Sequence, residues 1–298
     1  MNIHTIGILS PGDMGHAIGT VLSQHGLRVI TSLQGRSART QALTQSAGID
    51  KVLDDETLVR EADILLSILP PAQAYGLAER IVTALVKTGA ELIFVDCNAI
   101  APRTVLAIDQ LFTQAGIPAS RAALVDAGII GGPPRQGETG PRLYVSGPRA
   151  SEVALLGAYG LDVRVLGPHN GQASGLKMCY ASLTKGLTAL ATQALVASRT
   201  LGLQEALLTE FQALPMFKSI ERSVPGMPPK AYRWVGEMEE IAQTFTDLGL
   251  PPPQMHEGAA SLYRFIAGTE LGKETPEQRQ RGQTLEEVVS LLSDALNI

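Results

Sequence analysis

The chain has 298 residues, 45% hydrophobic and 18% charged, which is enough apolar material for a buried core and excludes a disordered chain. Lysine plus arginine total 24 against 29 aspartates and glutamates, a net charge of -5 without a long run of like charges, so the basic surface of a dedicated nucleic-acid binder is excluded. The two cysteines, Cys97 and Cys179, supply neither a disulfide framework nor a four-ligand zinc site on their own; no run approaches the roughly 18 apolar residues of a membrane span, and without a signal-peptide pattern the expected location is the cytoplasm.

Residues 3–9 read as a buried strand. The turn Ser10-Pro11-Gly12-Asp13-Met14-Gly15 follows, and residues 16–25 carry Ala17, Ile18, Val21 and Leu22 at helical spacing before Gly26 ends the helix. Residues 27–31 are a second strand, 38–47 a helix and 63–69 a third apolar strand stopped by Pro70-Pro71. A helix over 72–88 and a strand over 91–95 continue the alternation, with further strands at 122–126, 143–146 and 163–166. Alternating helices and largely apolar strands predict a parallel sheet covered on both faces.

The pattern changes near Gly167. Residues 173 to about 203 contain no proline and read as one long helix; 204–223, 229–248, 255–267 and 284–296 are also helical, with Pro215 expected to kink or break the first. Clusters at Pro225, Pro251–Pro253 and Gly272 separate these helices. The expected fold is an α/β Rossmann-type domain over residues 1–166, followed by an all-α domain over 167–298 for substrate binding and dimerisation.

A pyrophosphate needs backbone N–H groups aimed at it, a helix N-terminus behind them, and glycines that let the backbone come close. The fingerprint G-x-G-x-x-G is met at Gly12 and Gly15, with Ser10 in its first place, and it follows an apolar strand and opens a helix. The bland alternative is a tight strand-to-helix turn without a ligand. Where an acid would grip the ribose of NAD, the segment 31–39 has neither Asp nor Glu. Arg36 can pair with a 2′-phosphate and Ser37 can donate to it, so NADP(H) is expected in preference to NAD(H).

These residues resemble the β-hydroxyacid dehydrogenase and 6-phosphogluconate dehydrogenase superfamily, and four motifs in order carry the likeness. Gly7-Ile8-Leu9-Ser10-Pro11-Gly12-Asp13-Met14-Gly15 is similar to G-x-I-G-x-G-x-M-G. Asp96-Cys97-Asn98-Ala99-Ile100-Ala101-Pro102 is similar to the D-x-S-T-I-x-P stretch beside the nicotinamide. Asp126-Ala127-Gly128-Ile129-Ile130-Gly131-Gly132 stands in the place of D-A-P-V-S-G-G, and Gly171-Gln172-Ala173-Ser174-Gly175-Leu176-Lys177 in the place of G-x-G-x-x-x-K, which carries the family's catalytic lysine. The strand end at Leu69-Pro70 would also pass the dinucleotide. The stretch 233–242, followed by Gly249-Leu250-Pro251-Pro252, resembles a branch with a phosphogluconate-dehydrogenase-like helical domain.

Three positions depart from the family pattern. Ile130 replaces the serine that helps hold a substrate carboxylate, Ala181 replaces the asparagine four residues after the lysine, and the later K-D pair falls near Gly236–Glu237 without its lysine. A bulkier or less acidic substrate than a short β-hydroxy acid is the expectation.

Hydride transfer from an alcohol needs a base for the hydroxyl proton, and the reverse needs an acid; a lysine whose pKa burial moves toward neutrality does both. Lys177 is the candidate, against the alternative of a lysine snorkelling from an apolar helix. Ser174, Ala181 and Thr184 share its helical face with Tyr180 beside them, and Ala181 leaves room for substrate. Tyr180 either orients substrate or is a packed aromatic. Lys185 either faces the same cleft or pairs with a neighbour. Asn98 reads equally as a nicotinamide contact or an Asx turn before Pro102. Ile130, Gly131 and Gly132 are candidate substrate contacts, the two glycines through backbone N–H groups. Both cysteines read as packing residues, and His4, His16, His25, His169 and His256 show no metal-ligand spacing. The functional expectation is an NADP-dependent oxidoreductase acting on a small-molecule hydroxyl or carbonyl substrate, with an imine reductase-like enzyme or a non-catalytic NADP-binding protein as alternatives. A homodimer is implied by the resemblance, because paired helical domains in that family complete each other's clefts.

Overall fold

The computed structural model describes residues 2–134, 140–250 and 254–296. The chain divides into two compact units, Met1–Met178 and Cys179–Ile298. The first is a Rossmann-type α/β unit. Its elements run β1 (Thr5–Leu9), α1 (Asp13–Gln24), β2 (Arg28–Ser32), α2 (Ala38–Ser46), β3 (Asp50–Val52), α3 (Asp55–Glu61), β4 (Ile64–Ser67), α4 (Ala74–Thr88), β5 (Leu92–Asp96) and α5 (Pro102–Gln114). Then follow β6 (Ala122–Ile130), β7 (Arg142–Ser146), the short α6 (Ala150–Val153), β8 (Asp162–Gly167) and the start of the long α7 (Gln172–Thr200).

The eight strands form one sheet in the order β3-β2-β1-β4-β5-β6-β7-β8. All neighbouring pairs are parallel except β6 with β7, which is antiparallel. The wholly parallel sheet expected above therefore reverses once. The link between β6 and β7 is too short to carry a crossover helix, so the chain returns beside β6 in the opposite direction. Strand alternation sends side chains to opposite faces. Ile6, Ile8, Val29, Ile64 and Leu66 pack into one apolar cluster, while Leu9, Ile30, Leu65, Phe94 and Leu124 pack into a second with α3, α4 and α5.

The second unit is helical. It holds the rest of α7, then α8 (Gln204–Gln212), α9 (Phe217–Gly226), α10 (Ala231–Asp247), α11 (Gln254–Gly268), α12 (Glu270–Lys273) and α13 (Leu285–Asp294). The break between α8 and α9 contains Pro215, as expected of a residue that cannot donate a helix hydrogen bond. Pro251–Pro253, expected to separate two helices, lie outside the described residues. The Tyr263 hydroxyl donates to Lys185 O at 2.5 Å, and the Trp234 and Tyr263 rings meet edge to face at 5.2 Å. The Arg199 guanidinium donates to Ser290 Oγ at 2.8 Å, tying α7 to α13. Among the described residues no helix is long and apolar enough to cross a membrane.

Candidate functional site

The glycine turn opens from the carboxyl end of the fully buried strand β1. Ser10 N donates to Ile68 O at 3.2 Å, Gly12 N to Ser10 O at 2.8 Å and His16 N to Gly12 O at 2.9 Å. A Cβ on Gly15 would lie 2.4 Å from Ser10 O, so the helix can sit this close to the turn only with glycine there. A Cβ on Gly12 would meet nothing within 4 Å, so the turn's outer face is open. Gly12 is the N-cap of α1 and provides no side-chain cap, which leaves first-turn N–H groups able to receive an oxyanion. Asp13, in that first turn, pairs with Arg39 from α2. These features fit a dinucleotide pyrophosphate.

At the end of β2, Thr31 Oγ1 donates to Ile8 O at 2.7 Å, while Ser32 is buried and its Oγ has no partner. Ser37 is the N-cap of α2, its Oγ accepting from Thr40 N at 3.2 Å, so the hydroxyl expected to meet a phosphate also ends a helix. Arg36 is half-buried, and its pKa is lowered by desolvation and by the Arg80 guanidinium, with the Asp55 carboxylate opposing.

Asn98 follows β5 and is 2% exposed. Its Oδ1 accepts from Leu69 N at 2.5 Å, its Nδ2 donates to Ser67 Oγ at 2.9 Å and Asp96 Oδ2 at 2.8 Å, and its backbone N donates to Asp96 Oδ1 at 2.9 Å. The last of these is the turn-forming bond of the second reading given above. The amide binds the carboxyl ends of β4 and β5 together and sets the backbone at Leu69. Between Asp96 and Asn98, burial and the carboxylates of Asp96 and Asp126 push the Cys97 thiol well above the ordinary range.

A buried aspartate in an apolar strand needs donors, and Asp126 in β6 finds four. Its Oδ2 accepts from Ser146 Oγ at 3.0 Å, Gly171 N at 2.9 Å and Ser174 N at 3.0 Å, and its Oδ1 accepts from Ser174 Oγ at 2.5 Å. Strand β6 thereby caps α7. One turn on, Lys177 Nζ donates to Ile129 O at 2.6 Å. The close approach requires Gly128, where a Cβ would fall 2.8 Å from Ala173 O and 3.1 Å from Lys177 Cβ. The parallel register carries Asp126 beside Asp96 and Asp96 beside Ser67, so Ile129 lies at the same carboxyl edge as the glycine turn. The sheet thus brings Gly12, Leu69, Asn98 and Lys177 to one edge.

The other expected contacts are dispersed in environment. Ile130 has a buried side chain, whereas Gly131 and Gly132 are exposed, Gly131 at a φ of 128°. Tyr180 and Thr184 are exposed, the Thr184 hydroxyl donating to Tyr180 O at 3.2 Å, and Ala181 is buried. Lys185 is paired with Glu237, and its Nζ lies 5.2 Å from the Trp234 ring centroid. This is the neighbour-pairing alternative for Lys185, and Glu237 marks where the family's later K-D pair falls. Sequence reasoning missed the roles of Asp126, Ser146, Ser67 and Arg80. The one available signal was Asp126 itself, a carboxylate in an apolar strand.

The family model described as "NADP oxidoreductase coenzyme F420-dependent" matches residues 5–99, and one described as "Domain of unknown function (DUF1932)" matches residues 198–266. An uncharacterised 28.5 kDa protein of Methanothermus fervidus is 28% identical over 203 residues, 68% of this chain and 74% of that protein. A conserved protein of unknown function, whose structure is described as similar to 3-hydroxyacid dehydrogenases, is 27% identical with a TM-score of 0.64, over 88% of this chain and 96% of the other. The 3-hydroxyisobutyrate dehydrogenase of Mycobacterium tuberculosis, solved with L-serine, is 15% identical with a TM-score of 0.70 over 100% of both chains, a likeness of fold.

Proposed function

Because the chain belongs to the β-hydroxyacid dehydrogenase-like superfamily, we propose that it is an NADP-dependent oxidoreductase. It moves hydride between nicotinamide and the hydroxyl or carbonyl of a small-molecule substrate, a hydroxy acid or a bulkier relative, with Lys177 as general acid/base. The family match over residues 5–99 supports a nicotinamide-dependent oxidoreductase. The observation that carries the finer reading is the carboxyl edge of the sheet. There the open turn at Gly12 and the capped helix that carries Lys177 lie on one side of the strands that Asn98 ties together. Ligands of open α/β sheets bind at that edge.

In this reading Ser10, Gly12, Asp13, Met14 and Gly15 receive the pyrophosphate, Arg36 and Ser37 the adenosine end, and Leu69, Pro70 and Asn98 border the nicotinamide end. Nicotinamide, when bound, supplies the hydride donor or acceptor. Lys177 Nζ takes the hydroxyl proton in oxidation and returns it in reduction. The Ile129 carbonyl and the Asp126 cap fix where that ammonium stands. Gly131 and Gly132 offer N–H groups to substrate oxygens, and Ile130 in place of serine favours a substrate bulkier or less acidic than a short β-hydroxy acid. The active form is a homodimer, a reading supported by the exposure of Leu183, Leu190 and Leu201 on α7.

The test is turnover with NADPH or NADP across a panel of β-hydroxy acids, their aldehydes and ketones, and cyclic imines. Lys177→Ala is expected to lose roughly 10²–10⁴-fold in rate while keeping its affinity for NADPH. A variant as fast as wild type would remove Lys177 from the chemistry. Reduction of imines alone would shift the substrate class.

A further inference from the structure

We propose that Ser32, Arg36 and Arg80 together receive a phosphate monoester, the adenosine 2′-phosphate of NADP, and that Arg80 on α4 is the second cation selecting NADPH over NADH. This rests on the NADP reading above and extends it to residues outside the β2–α2 loop. Ser32 is the last residue of β2, about twenty residues beyond the glycine turn, where an acid would hold the ribose hydroxyls of NAD. An acid there would repel a 2′-phosphate. A serine can donate to one instead, and this serine is 2% exposed with its Oγ unpartnered.

The strand's alternation sets which face Ser32 occupies. Ile30, two residues earlier, packs with Leu58 of α3 and with Leu77 and Ile81 of α4, so Ser32 stands on the α3–α4 face of the sheet. Arg80 projects from that same α4. Its Nε and Nη2 donate to Asp55 Oδ2 at 3.1 and 2.6 Å, which orients the guanidinium and leaves Nη1 to engage an anion. Arg36 is close enough to Arg80 that each charge disfavours the other, with Asp55 as the opposing carboxylate. Two guanidiniums against one carboxylate leave a positive excess. The next acids at the start of α3 are engaged elsewhere: Asp54 accepts from Thr57 N at 2.8 Å, and Glu56 pairs with Lys87 at 3.3 Å and Arg60 at 3.7 Å. A dianionic phosphate between Arg36 and Arg80 would relieve their repulsion, and its oxygens would give Ser32 Oγ the partner it lacks.

The experiment is calorimetric titration of the full chain with NADPH, NADH and 2′,5′-ADP, for wild type, Arg80→Ala, Ser32→Ala and Ser32→Asp, with circular dichroism checking each fold. Arg80→Ala should weaken NADPH and 2′,5′-ADP by roughly tenfold or more, the scale of one charge-assisted hydrogen bond, and leave NADH within about twofold. Ser32→Ala should weaken the same two ligands selectively, and Ser32→Asp should turn the preference toward NADH. If wild type prefers NADPH but Arg80→Ala changes NADPH and NADH equally, or neither, the Arg80 assignment falls and the NADP reading stands. If wild type binds neither dinucleotide, or shows no preference, both fall.

Discussion

Replacing Asp126 with alanine removes the acceptor of two backbone N–H groups and two hydroxyls at a fully buried position. The hydroxyls of Ser146 and Ser174 can turn to other acceptors. The N–H groups of Gly171 and Ser174 cannot, and each buried unsatisfied donor costs about 1–3 kcal/mol. Loss of the negative charge at the start of α7 adds about 0.5–2 kcal/mol, as for other caps. The sum is roughly 3–5 kcal/mol, a large part of the ~5–15 kcal/mol that holds a domain folded. Asp126→Asn keeps one acceptor but turns an NH₂ group toward donors, so roughly 2–4 kcal/mol is expected. Urea unfolding at neutral pH, followed by far-ultraviolet circular dichroism, measures both. An alanine variant within about 1 kcal/mol of wild type would refute the cap as the anchor of α7.

Gly128→Ala should cost roughly 1–3 kcal/mol in the same assay, because its Cβ would collide with the Ala173 carbonyl, which is backbone and can move only with the helix. Lys185→Ala leaves Glu237 buried without its cation and should cost roughly 3–5 kcal/mol, whereas Lys185→Met with Glu237→Leu should stay within about 1–2 kcal/mol of wild type. If the single and double variants were equally unstable, the pair would not be the source of the cost. Thiol titration with a disulfide reagent at mildly alkaline pH should count one fast cysteine per native chain, the exposed Cys179, and both after denaturation. Burial and two carboxylates suppress the Cys97 thiolate, so fast native labelling of Cys97 would contradict its surroundings.

Much of the sheet was legible because β1, β4 and β5 are wholly apolar or nearly so and end in turn residues. Strand β3 was not, since its three residues Asp50, Lys51 and Val52 face mostly solvent and carry no apolar signature. Helix α3 is one short, charged segment, and its Asp54 cap was the only sign. Helix α5 was readable in principle. Pro102 stands at its first turn and Val105, Ile108 and Phe112 lie on its buried face, but the motif at Asp96–Pro102 drew the reading toward a loop. At the site, the glycine turn and Lys177 are local patterns and could be read. The Asn98 network joins residues 31 apart, the Asp126 cap joins residues 48 apart, and the Lys185–Glu237 pair spans two helices. Such pairings depend on the folded register and have no local signature.

The central claim is that this chain binds NADP through its N-terminal sheet. Titration of purified protein with NADPH and with NADH, beside Arg36→Ala, tests it most directly. The account predicts saturable binding of one NADPH per chain, tighter than NADH, with the difference reduced roughly tenfold or more by the substitution. Failure to bind either dinucleotide would contradict it and leave a shared fold without the cofactor.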